Sequence, residues 1–234
     1  MSNGVVLRTA KPEDLVRLAD IADAAFRSDS HTQLKSIASK PGAISFRDGM
    51  YGALQVWFAQ PKIDLVVAEN QNTHEVVGWI AWSRRGFAGD LDLPLSEIND
   101  TDTRATGTRT TADLEAMTSA SIASWATRLM PPGSGCRYIV ATSVDPASQT
   151  SGIGSRLVRW GTDKADKETG VYCWVQSSMG GRGFFEKQGF EEVGRLEVDL
   201  DEYSQGLSPP RTLGSHTETW GRYVWTYMRR SGQA

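Results

Sequence analysis

The residues best suited to chemistry lie together in the stretch Gln149-Thr150-Ser151-Gly152-Ile153-Gly154-Ser155. Two glycines one residue apart let a backbone come close to a ligand, because neither carries a Cβ. Directly after them, Leu157, Gly161 and Ala165 recur every four residues, the spacing of one helical face. The loop therefore sits at a helix N-terminus, where the first N–H groups have no intrahelical partner and the dipole is positive. That arrangement can cradle phosphate, although a Gly-x-Gly that opens a helix also suits a plain turn. It is not a Walker loop, since no Gly-Lys-[Ser/Thr] follows. Nor is it the dinucleotide fingerprint, because the third glycine position counted from Gly152 holds Leu157.

Other elements must hold this loop in place. Tyr138 to Val144 is an apolar run rich in β-branched residues and reads as a buried strand, ended by Asp145-Pro146. Upstream, Gly4 to Thr9 reads as a first strand. Pro12, Glu13 and Asp14 then start a helix whose apolar face runs through Leu15, Leu18, Ala19, Ala22 and Phe26. A second helix follows Ser28–Asp29 on weaker signals, with His31 expected in solvent. Tyr51 to Ala59 leans to helix. Asp64 to Glu69 and Glu75 to Trp82 form an antiparallel hairpin across a polar turn that carries His74. Asp113 to Met130 reads as a helix stopped by Pro131-Pro132-Gly133. Beyond the central helix come a strand at Val171 to Val175, a sharp turn at Gly180-Gly181, a short helix at Phe184 to Lys187 closed by Gly189, and a strand from Phe190 to Leu200. A loop from Tyr203 to Glu218, carrying His216 at a polar position expected in solvent, leads to a last strand at Arg222 to Met228.

Composition narrows the class. The chain has 234 residues, 39% hydrophobic and 23% charged, with a formal net charge of −3. Length and composition suit one domain over residues 1–234 and give no nucleic-acid footprint. Two cysteines, Cys136 and Cys173, are too few for a disulfide framework and form no Cys-x-x-Cys pair, so no metal site is expected. No signal-like or bilayer-length apolar run is seen, so a cytoplasmic protein with no membrane partner is expected. Of the eight tryptophans, Trp79, Trp82 and Trp174 are expected in the core. Residues 86 to about 112 break the pattern as a polar, acidic insertion. Over 86–116 there are seven acids (Asp90, Asp92, Glu97, Asp100, Asp102, Asp113, Glu115) against Arg104 and Arg109. It reads either as a solvated loop or as a lid that attracts a cationic substrate.

A second motif completes the pattern. Phe185-Glu186-Lys187-Gln188-Gly189-Phe190 stands about thirty residues beyond Gln149-x-x-Gly152-x-Gly154. Together, at this spacing and after a strand ending Val144-Asp145-Pro146, the two motifs resemble those of the GNAT superfamily of N-acetyltransferases, and within it the fungal-type small-molecule branch. The match is best over 137–190. The resemblance implies an α/β (α+β) fold: a mixed, mostly antiparallel sheet of about seven strands, flanked by helices and splayed at the central strand. It implies an acetyl-CoA-dependent N-acetyltransferase that lets the amine of a small molecule attack directly in a ternary complex. A protein or peptide amine, or a CoA-binding module with little turnover, stands as the alternative. A monomer or homodimer is expected.

In similar proteins the loop binds the coenzyme pyrophosphate, a role that falls here on Gln149, Thr150, Ser151, Gly152, Ile153, Gly154 and Ser155. The backbones of Ser143 and Val144 would meet the pantetheine arm, with Val144 N–H as an oxyanion donor. Ser178 and Phe185 would lie beside the coenzyme. Two positions depart from the family's pattern. Where many relatives have a tyrosine that protonates the leaving thiolate, this chain has Phe185. Where many have an acid on the central strand, it has Val140. Tyr138, Ser177 and Ser178 are candidates to stand nearby. Glu69, Asp145 and the insertion acids are candidates for the base, and no catalytic residue is assigned. Lys187 reads as a surface charge that the nucleotide phosphates would attract. If the insertion steers a cationic amine, neutralising Asp90, Asp92, Asp100 and Asp102 together raises KM for such an acceptor. The same change leaves KM for an uncharged one unaltered, and steady-state kinetics with the two acceptor types checks this.

Overall fold

A computed structural model describes residues 4–87, 109–210 and 218–232. Its elements, in chain order, are β1 (Val5–Thr9), α1 (Leu15–Phe26), α2 (Ser30–Ala38), α3 (Phe46–Ala59), β2 (Ile63–Asn70), β3 (Val76–Arg85), α4 (Thr111–Leu129), β4 (Cys136–Val144), α5 (Ile153–Ala165), β5 (Tyr172–Ser177), α6 (Arg182–Glu186), β6 (Glu191–Asp199) and β7 (Arg222–Arg230). The strands form one seven-stranded sheet in the order β1-β2-β3-β4-β5-β7-β6. Only the β4–β5 pair is parallel. The mixed, mostly antiparallel sheet expected from the sequence is therefore present, with helices on both faces. The acidic stretch falls at residues 88–108, outside the described residues, as does His216.

Two tryptophans on β3 fasten one helix to each face. Trp79 and Trp82 are three residues apart, and side chains alternate along a strand, so they point to opposite sides. Trp79 packs with Leu18, Ile21 and Ala22 of α1 and donates its indole N–H to the Leu18 carbonyl at 2.9 Å. Trp82 packs with Leu157, Val158 and Ala165 of α5 and reaches the Leu157 carbonyl at 3.4 Å. α5 buries the stripe Ile153, Leu157, Val158, Gly161, Thr162 and Ala165, the apolar face expected of a helix laid on a sheet. α2 begins where Asp29 accepts from Thr32 N–H at 2.8 Å. Its core anchor is Leu34, while Ile37 is exposed, which explains its weak signal in the sequence. α3 is longer than its apolar stretch suggests, because Ser45 caps it through Asp48 N–H and the helix starts at Phe46.

Close approach of α5 to the sheet depends on Gly161. A Cβ there would stand 2.2 Å from Trp82 Cε2. We expect Gly161→Ala to destabilise the fold by roughly 1–3 kcal/mol through overpacking. Gly183→Ala, where a Cβ meets nothing within 4 Å, serves as the control. Urea denaturation of both variants makes the comparison, and equal midpoints would contradict this packing.

Candidate functional site

The site is built from an interruption in the sheet. β4 pairs with β5 only over Cys136–Ile139 against Tyr172–Val175. The closed end is held by Arg137, which is 6% exposed and forms a two-bond ion pair with Glu168 at 2.9 and 2.7 Å. Beyond Ile139 the strands part. β4 continues along β3 to Val144, while Gln176 and Ser177 of β5 pair only with Tyr227 and Thr226 of β7. The parting begins at a β-bulge: Ile139 faces Trp82 and Ala141 faces Ala81, which leaves Val140 as the extra residue. Bulges bend a strand and end pairing. The predicted splay is thus present, and Val140 sits at its origin.

Backbone direction decides what each lip offers. Asp145 N–H bonds the Val77 carbonyl on β3 at 2.9 Å. Backbone polar groups alternate sides along a strand, so those of Val144 face the gap and those of Ser143 face β3. The Val144 carbonyl duly accepts from Gln149 Nε2 at 3.1 Å. Of the two residues singled out in sequence, Val144 is therefore the one that opens onto the gap, and Ser143 is 6% exposed and belongs to the β3–β4 ladder.

The loop after β4 turns through two left-handed residues, Thr150 (φ 61°) and Gly152 (φ 84°). Gly152 is the N-cap of α5 and has no side chain to cap it. By contrast, Asp29, Ser45 and Thr110 each cap their helix with a side-chain oxygen. The first α5 bond runs from Arg156 N–H to the Gly152 carbonyl at 3.1 Å, so the N–H groups of Ile153, Gly154 and Ser155 precede it. Ile153 is buried in the core and contributes backbone only. Gly154 has a packing reason of its own, since a Cβ would lie 3.2 Å from the Phe184 ring. Ser151 hydroxyl bonds the Ser148 carbonyl at 2.5 Å, and Gln188 reaches Ser155 Oγ at 3.1 Å. Arg17 braces the loop from α1 through Asp145 at 2.5 Å. Along α5 an open groove of about 470 Å³ is lined by Ser155, Arg159, Lys187, Gln188 and Arg230 among others.

Phe185 is 5% exposed, with the Phe184 and Phe190 rings at 5.0 and 5.7 Å. The ring at the family's proton-donor position is part of the core. Two of the candidate bases, Glu69 and Asp145, are engaged, and the insertion acids from Asp90 to Asp102 lie outside the described residues. Glu69 pairs with Arg8 at 2.5 Å and with His74, and the Arg8 hydrogen bond holds its carboxyl below the usual range. Asp145 is bound to Arg17 and caps Ala147 N–H.

The sheet face opposite α5 carries an aromatic cluster in which Tyr138 and Trp174, both singled out in the sequence, join groups that sequence reasoning passed over. Tyr138 stacks on Trp174 (5.1 Å) and Trp125 on Tyr227 (5.0 Å). Tyr223 donates its hydroxyl to Asp29 at 2.6 Å. His31, expected in solvent, is instead packed on Tyr223 at 5.6 Å and edge-on to Trp225 at 4.8 Å. The residue spacing of α2 turns it inward with Leu34, three positions on. Only the alternation Tyr223, Trp225, Tyr227 on β7 signalled this aromatic face in the sequence.

The chain matches the model of the acetyltransferase (GNAT) family over residues 31–190. It belongs to that family. Its fold is similar to that of a mosquito arylalkylamine N-acetyltransferase like 5b, with TM-score 0.58 and 17% identity over 97% of this chain and 99% of that one. An agmatine N-acetyltransferase in its apo form gives TM-score 0.58 and 14% identity over 96% and 98%. Arabidopsis thaliana NAA60 in complex with acetyl-CoA gives 0.51 and 11% over 97% and 98%. No curated protein matches by sequence.

Burial pushes His31 down from 6.5 to about 4, opposed by Asp29 and Glu115 and reinforced by Lys35. The unfolded chain binds this proton below 6.5 and the folded chain does not, so stability falls as pH drops through that window toward about 4. The slope reaches at most about 1.4 kcal/mol per pH unit. His31→Phe removes this contribution, and chemical denaturation at a series of pH values reads it. An unchanged slope would contradict burial of a neutral imidazole.

Proposed function

We propose that the protein is an acetyl-CoA-dependent N-acetyltransferase that acetylates the amine of a small molecule by direct attack in a ternary complex, over a single domain spanning 1–234. The observation that carries this reading is the gap between β4 and β5, with an uncapped helix N-terminus at one end and Val144 on its lip. The residues fit the coenzyme. The N–H groups of Ile153, Gly154 and Ser155 would hold the pyrophosphate, as donors aimed at an anion with the helix dipole behind them. Gln149, Thr150, Ser151 and Gly152 shape the turn that presents them. The Val144 backbone would meet the pantetheine arm, and Arg159 and Lys187 give the groove along α5 cationic groups for the remaining phosphate.

When bound, the coenzyme supplies an activated thioester. The chain supplies positioning, which alone can be worth effective molarities on the order of 10⁵ M. Val144 N–H supplies a hydrogen-bond donor where negative charge develops. Placement in a small-molecule branch of the family is supported by the likeness in fold to an arylalkylamine and an agmatine N-acetyltransferase. Among the described residues no helix is long and apolar enough to cross a membrane.

Calorimetric titration with acetyl-CoA, CoA and ATP tests the donor. Both CoA species bind the wild type, and binding falls by roughly 100-fold or more in Gly152→Asp/Gly154→Asp. There two carboxylates replace the approach to the helix N-terminus, and Gly154 also loses its fit against Phe184. Thiol release with small amines and with a peptide N-terminus tests the acceptor. Binding of ATP alone, or turnover of the peptide alone, would overturn the respective half.

A further inference from the structure

Val175 is the last residue of β5 that pairs with β4, and it lies opposite Ile139. Gln176 comes next, level with the Val140 bulge where the strands part. Side chains alternate along a strand. Val175 belongs to the cluster under α5, so Gln176 projects with Trp174 from the other face. Val140 packs on that same face, against the α1 cluster. Gln176 is half-buried and held by its nitrogen. Nε2 donates to the hydroxyl oxygen of Tyr227, its cross-strand partner on β7, at 3.1 Å. That hydroxyl also meets Ser121 Oγ of α4 at 2.9 Å, and the fully buried Tyr227 ring stacks on Trp125, one turn along α4. Burial holds the Tyr227 hydroxyl above its ordinary value, so the support stays neutral. The other end of the amide is not engaged. Oε1 has no hydrogen-bond partner among the described residues and is open to solvent.

A carboxamide oxygen fixed beside an open gap can receive an N–H group. A coenzyme held at the α5 N-terminus comes to the gap from the α5 face, which leaves the opposite face to the acceptor. Resting on the acetyltransferase reading above, we propose that Gln176 binds the acceptor: its Oε1 takes a hydrogen bond from an attacking primary amine and turns the nitrogen lone pair toward the thioester carbon. Tyr227 and Ser121 are positioning residues that hold the amide in this orientation. The nitrogen bonds the acetyl carbon and the carbon–sulfur bond breaks. One amine hydrogen ends on sulfur as a proton carried by water, so amide and thiol are the products. Gln176 holds the other hydrogen and neither gives nor takes a proton, so the amine arrives neutral. Positive charge grows on nitrogen as it attacks, and a hydrogen bond from a charged donor is about twice as strong as one from a neutral donor. The contact therefore strengthens toward the transition state and acts on kcat more than on KM.

The variants are Gln176→Met, Gln176→Glu and Tyr227→Phe. The first keeps the length of the side chain and removes both polar atoms. The second keeps an oxygen where Oε1 stands, and the Tyr227 hydroxyl can turn to donate to its partner oxygen. The third keeps the ring and releases the amide. Thiol release from acetyl-CoA is measured with tyramine, agmatine and ethylamine, acetyl-CoA affinity by calorimetry and stability by urea denaturation. In Gln176→Met, kcat falls roughly 10- to 100-fold while KM for the amine stays within about threefold. Tyr227→Phe gives a smaller fall of the same kind, and Gln176→Glu restores kcat to within about threefold of wild type. Both Gln176 variants keep the acetyl-CoA affinity and the unfolding midpoint near wild type. A Gln176→Met enzyme that keeps kcat within about threefold would overturn this role and leave the acetyltransferase standing. Equal falls in Gln176→Met and Gln176→Glu would do the same, because the side chain would then act only through its bond to Tyr227. A wild type that binds acetyl-CoA and releases no thiol with any of the three amines would overturn both.

Discussion

Everything at the site depends on β4 parting from β5 after Ile139. A strand in mid-sheet satisfies its backbone groups on both sides, and a strand that loses one neighbour turns a row of polar groups to open space. Here the loss is local and supported. Arg137 and Glu168 clamp the paired end, the Val140 bulge turns the strand, and β3 holds the free half in register to Val144. The gap is therefore a fixed edge within a rigid sheet. Trp79 and Trp82 extend that rigidity outward by pinning α1 and α5 to opposite faces.

The same geometry explains how one chain can bring two reactants together from opposite sides. α5 and its uncapped N-terminus lie on the Trp82 face. The aromatic residues, with α2 and α4, lie on the other. The gap is where the two meet. Phe185 is committed to the core and Val140 to the bulge, so neither position carries a side chain that can move a proton.

Much of the scaffold was legible in the sequence because it rests on local signals. The strand ending at Val144-Asp145-Pro146, the glycine turn, the helix stripe at Leu157, Gly161 and Ala165, and the Phe185–Phe190 segment all express rules that act within a few residues. The splay was expected only through family resemblance, since nothing local in Ile139-Val140 says that pairing will stop there. The orientation of Ser143 and Val144 depends on which one lies opposite a β3 carbonyl, a matter of register across more than sixty residues. His31 was misjudged for the same reason. Its neighbours in sequence, Ser30, Thr32 and Gln33, are polar, and only Tyr223 and Trp225, nearly two hundred residues on, bury it. Asp29 and Tyr223 show no pattern until the fold brings them within 2.6 Å.

The central claim is that the free backbone groups at the gap and at the α5 N-terminus receive the coenzyme. Amide resonances during titration of the protein with CoA test it most directly. The account predicts the largest shifts at Val144, Ile153, Gly154 and Ser155, with those of β1 and α3 unmoved. Binding that shifts other amides and leaves these four in place would contradict it.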